Sequence, residues 1–101
     1  MLVQVLYFEG CPHHRPALEL VREVISECGA EAVLEEVEVA TAEAAERLRF
    51  LGSPSIRVDG VDIEPGAETQ GGYALSCRMY GGSGVPPREL LVGAIVGEEP
   101  R

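Results

Sequence analysis

The chain has 101 residues, a formal net charge of -9 and 46% hydrophobic residues, which fits one small globular domain with a core of its own. The negative balance argues against a phosphate-backbone partner, because nucleic-acid binders need clustered cations. All eight cations are arginine, so a Schiff-base lysine and a phosphate-loop lysine are excluded.

Residues 2–8 are apolar almost throughout and rich in β-formers, which predicts a strand buried on both faces. The motif Tyr7-Phe8-Glu9-Gly10-Cys11-Pro12-His13-His14 follows. Proline is best tolerated at the first position of a helix, so Pro12 is expected to open one with Cys11 at its cap. There the positive end of the helix dipole favours thiolate over thiol. Leu18, Val21, Val24, Ile25 and Cys28 then recur at the spacing of one helix face, which predicts a helix over 12–28 stopped by Gly29. Residues 32–39 alternate imperfectly and read as a second strand. Two strands joined by a helix are expected to pair in parallel.

Thr41 is a candidate N-cap for a helix over 42–50, which Gly52 ends. Ser53-Pro54 leads into a short strand at 55–58. Asp59-Gly60 is a strong two-residue hairpin signal, and the return strand is expected at 61–64. Residues 65–86 hold six of the twelve glycines yet surround a stretch that is not loop-like, Tyr73 to Tyr80. A structureless segment of this length is uncommon in a small domain unless it is functional. Pro86-Pro87 opens a last helix with Leu90, Leu91, Ala94 and Ile95 on one face, closed by Gly97 and followed by a frayed tail. The expectation is a single α/β domain over 1–101, of order β-α-β-α-β-β-α, with a four-stranded mixed sheet flanked by helices and a glycine-rich insert at 65–86.

Two matches make this order resemble the thioredoxin-like superfamily, above all its minimal glutaredoxin-sized members. One is Phe8-Glu9-Gly10-Cys11-Pro12-His13-His14, at the place of the family's redox motif. The other is Gly52-Ser53-Pro54-Ser55-Ile56, at the place of a proline with a cis peptide bond. The resemblance covers residues 1–64 and, more weakly, 86–97. It implies that Pro54 lies beside the reactive Cys11, and that Ser53 offers backbone groups to a bound peptide or thiol. Pro12, next to Cys11, is counted with these substrate-binding positions. The chain departs from the family's Cys-x-x-Cys motif, because His14 occupies the fourth position.

Three readings of function stay open. In the first, Cys11 is the nucleophile of a thiol–disulfide exchange or redox protein, a monothiol-type oxidoreductase if it is an enzyme. His14 then shares a helix face with Cys11 and tunes or shuttles its proton, and Cys77 or an external thiol resolves the intermediate. Its partners would be a protein or a small thiol or disulfide, with no cofactor. In the second, Cys11, His14 and Cys77 converge to bind a thiophilic metal such as zinc, copper(I) or mercury. In the third, the chain is a non-catalytic adaptor on the same fold. Cys28 lies on an apolar helix face and reads as structural. His13 and Arg15 are expected to face solvent. Tyr7 reads as packing, and the glutamates at 35, 36, 38, 43 and 46 as a solvated face. Three cysteines are an odd number for a secreted disulfide framework. No apolar run reaches membrane-spanning length, and the first residues read as strand, so no membrane and a reducing, cytoplasmic location are expected.

Overall fold

The structure, a computed structural model, describes residues 1–80 and 82–97. The expected frayed tail at 98–101 lies outside the described residues. Four strands, β1 (Leu2–Tyr7), β2 (Val33–Glu38), β3 (Ser55–Val58) and β4 (Val61–Asp62), form one mixed sheet in the order β2-β1-β3-β4. Strand β1 pairs in parallel with β2 and antiparallel with β3, and β3 pairs antiparallel with β4. Three α-helices flank the sheet: α1 (His14–Glu27), α2 (Ala42–Arg47) and α3 (Arg88–Val96).

Side chains alternate across a strand, and β1 is the interior strand that uses both faces. Val3 and Val5 pack with Leu18, Val21 and Val24 of α1, Leu91 and Ile95 of α3, and Ile56 and Val58 of β3. Leu6 points to the other face, where it meets Val39, Ala45 and Phe50. Strand β2 is, with β4, one of the two edges. Its Val33 is exposed, and its glutamates 35, 36 and 38 place charge along the rim, a feature that discourages further strand pairing. The Asp59-Gly60 turn has positive φ at both residues (50° and 84°), as a two-residue hairpin requires. Thr41 caps α2 by accepting a hydrogen bond from the Ala44 N–H at 3.0 Å.

Helix α1 starts two residues later than its sequence suggests, with His13 at its N-cap rather than Cys11. Pro16 explains the shift. A helix opened by Pro12 would place Pro16 in its interior, where the missing N–H and the ring break the ladder. A start at His14 leaves Pro16 in the first turn, where no donor is needed. Residues 11–14 instead form a turn in which the His14 N–H donates to the Cys11 carbonyl at 3.3 Å. Pro12 stands at the second place of that turn, and His13 has the φ -98°, ψ -2° of the third place of a type I turn.

The insert is not a structureless loop. It begins with a 3-10 turn, Ala67–Thr69, and further on makes a parallel bridge between Cys77 and Ser53. The Ser53 N–H donates to the Ser76 carbonyl (2.7 Å), and the Arg78 N–H donates to the Ser53 carbonyl (2.9 Å). Residues 76–78 thus lie along the end of the sheet as a strap.

Candidate functional site

The register of β1 and β3 brings the singled-out residues to one end of the sheet. Leu6 pairs with Ser55, so the turn carrying Cys11 leaves β1 where Ser53 and Pro54 lead into β3. The Ser53–Pro54 bond is cis. Cys77 reaches the same end through its bridge to Ser53. The strap continues to Gly84, which lies against the His13 ring; a Cβ there would stand 2.5 Å from ring atoms. One segment therefore touches both Ser53 and the turn that carries Cys11.

The strap is held by Arg78, which the sequence left unassigned. Arg78 is 7% exposed, and its guanidinium donates to both Asp62 carboxylate oxygens (2.8 and 2.9 Å), to Glu64 Oε1 (2.6 Å) and to Ser55 Oγ (3.0 Å). Burial alone would disfavour its charge. The hydrogen bonds to Asp62 and Glu64 and the neighbouring Tyr80 outweigh that and hold the guanidinium's pKa above its ordinary value. Tyr80 lies 4.8 Å from the Arg78 cation and donates its O–H to the Pro54 carbonyl at 2.6 Å. Burial raises the Tyr80 pKa even though Arg78 opposes the shift. Gly52 allows the strap its close approach. Its φ of 120° excludes most side chains, and a Cβ would stand 3.0 Å from Arg78 Cβ and 3.2 Å from the Ser76 carbonyl oxygen.

The thiols differ in exposure. Cys11 is buried, at 9% exposure, whereas the helix-end position read from its sequence implied an exposed thiol. Cys77 is exposed, and Cys28 is half-buried at the C-cap of α1. Fourteen helical residues separate the Cys11 turn from Cys28, about 20 Å at roughly 1.5 Å per residue.

His14 is engaged by Tyr7 and Glu36. Its ring stacks on Tyr7 at 3.7 Å between centroids and 4° between planes, and its Nε2 hydrogen-bonds Glu36 at 2.9 Å. The shared helix face fails because Cys11 lies outside the helix that His14 begins. His13, expected in solvent, is half-buried against Gly84. Among the described residues, neither its Nδ1 nor the Ser53 Oγ, both buried, has a hydrogen-bond partner. Native interiors leave few polar atoms in that state, so both mark this end of the sheet as unusual. The glutamate face is solvated but also partly paired: Glu35 accepts from Gln4, and Glu36 meets His14.

No protein-family model, no curated protein and no solved structure gives a significant match to this chain. Among the described residues, no group of three His, Cys, Asp or Glu side chains is placed to hold a metal ion. Likewise among the described residues, no helix is long and apolar enough to cross a membrane. The arrangement that the geometry does offer is a pair of thiols at one end of a sheet, one buried in a turn and one exposed on a strap.

Proposed function

We propose that the chain is a thioredoxin-like thiol–disulfide exchange protein in which Cys11 attacks and Cys77 resolves. The observation that carries this reading is the Ser53–Cys77 bridge, which brings the second thiol to the end of the sheet where the Cys11 turn sits. The order of elements, with β1 in the interior, β2 parallel on one side and the hairpin on the other, supports the resemblance. The metal reading loses support because His14 is committed to Tyr7 and Glu36.

The exchange balances as follows. The Cys11 thiolate attacks one sulfur of a partner disulfide, forms a mixed disulfide and expels the other sulfur as a thiolate. The Cys77 thiolate then attacks the Cys11 sulfur and expels the remaining partner thiolate. The partner gains two electrons and is reduced, and the protein is left with a Cys11–Cys77 disulfide. An external dithiol reverses this and closes the cycle.

The test is oxidation by hydroxyethyl disulfide followed by peptide mapping. The expected product links Cys11 to Cys77, and none links Cys11 to Cys28. In the Cys77→Ser variant Cys11 should stop at the mixed disulfide. A mixed disulfide that persists in the unaltered chain would reduce the mechanism to monothiol exchange. No modification of Cys11 at all would overturn the redox reading in favour of a non-catalytic adaptor.

A further inference from the structure

A groove on the α2–hairpin side of the molecule has a volume of about 610 Å³, within the range of small-molecule sites. Three of the chain's eight arginines, Arg47, Arg49 and Arg57, line it, together with Leu48, Leu51 and Tyr73. In a chain with a net charge of -9, this convergence of cations is unexpected.

None of the three has a carboxylate at ion-pair distance among the described residues, whereas Arg78 and Arg88 do. Asp62 also borders the groove, but its two oxygens are taken by Arg78 and by the Glu64 N–H. Both Asp62 oxygens therefore already have partners, although its charge still favours that of Arg57. Arg57 is fixed in place by donating one nitrogen to the Leu48 and Arg49 carbonyls, at 2.6 and 3.0 Å. A guanidinium has five N–H donors, so most of its fork stays free. Partial burial disfavours its charge, and Arg78 nearby adds to that, while Asp62 offsets them only in part, so a bound anion would relieve it. Arg49, which follows the C-cap of α2, is held at φ 55°, a left-handed conformation uncommon for any residue but glycine or asparagine.

We propose that this groove binds a small organic dianion, with the anionic end on Arg47, Arg49 and Arg57 and a flat apolar body against Leu48, Leu51 and Tyr73. Planar guanidinium forks match phosphate and carboxylate oxygens in pairs, which a solvated lysine cluster would not do. Cys11, Ser53, Pro54 and Cys77 are not among the residues that line the groove, and the proposal does not depend on the exchange chemistry.

The probe is phenyl phosphate, titrated at fixed ionic strength while backbone amide resonances are followed. Saturable shifts are expected at Arg57, Val61 and Tyr73. Inorganic phosphate, which lacks the body, and phenol, which lacks the charge, should each bind more weakly. Phthalate distinguishes the source of the charge: tighter binding than phenyl phosphate supports a dicarboxylate ligand, weaker binding a phosphate ester. Arg47→Gln with Arg49→Asn should weaken binding about tenfold or more. Asparagine suits the left-handed backbone at 49, so the fold is spared. Arg22→Ala, on the exposed face of α1, should leave binding unchanged. Unchanged affinity in the double variant, phenol binding as tightly as phenyl phosphate, or shifts that never saturate would each overturn the proposal.

Discussion

Replacing Arg78 by methionine keeps most of the apolar stem and removes the guanidinium. Among the described residues, the Asp62 side chain, 13% exposed, then keeps only the Glu64 N–H as a partner. Breaking a buried ion pair by deleting one member costs about 3–5 kcal/mol, because the other charge is left without compensation. Glu64 is 36% exposed and rehydrates, so the low end, about 3 kcal/mol, is expected. A domain of this size has roughly 5–15 kcal/mol in all. At about 4–8 °C per kcal/mol, Tm should fall by about 12–24 °C. Urea denaturation gives the free energy, and hydrogen exchange locates the loss. The Arg78 and Ser53 amides, which pair across the strap, should lose protection before the amides of β1. Asp62→Asn in the same background should recover part of the loss, since the orphaned charge is gone. A loss under about 1 kcal/mol, or no coupling between positions 62 and 78, would refute the view that this network holds the strap.

Three further outcomes follow from the same geometry. Tyr80 has its pKa raised on folding, so the folded state holds its proton more tightly; this contribution is full below about pH 10, the unfolded value, and is lost as pH rises through the folded value. Stability followed by circular dichroism should thus decline above about pH 10, and Tyr80→Phe should flatten that slope while costing about 1 kcal/mol for the Pro54 hydrogen bond. Gly52→Ala should destabilise by about 1–3 kcal/mol, with faster exchange at the Arg78 amide; an unchanged exchange rate would show that the close approach is not needed. His14→Ala should cost about 1 kcal/mol or less through the lost Tyr7 stack, and should leave the alkylation rate of Cys11 unchanged. A slowed rate would return His14 to the role its sequence position suggested.

Local patterns in the sequence determined the elements. The apolar run at 2–8, the helical spacing after it, the Thr41 cap and the Asp59-Gly60 hairpin each depend on residues a few places apart, and each appears within about two residues of its expected position. The start of α1 was misplaced at Pro12: Pro16, whose missing N–H forbids so early a beginning, sets it at His14. Cys11, Ser53, Pro54 and Cys77 were singled out from the sequence, but only the tertiary structure decided how they are brought together and held. Arg78 reads as an ordinary surface arginine until Ser55, Asp62 and Glu64, 14 to 23 residues away, close around it. His14 was assigned to Cys11 by proximity in sequence, but its partners are Tyr7 and Glu36, brought together by the parallel pairing of β1 with β2. The seating of Cys77 beside Ser53 likewise follows from where the strap lies. No periodicity encodes that position: it depends on a glycine at 52 that leaves room, and on one buried arginine whose charge needs two particular carboxylates.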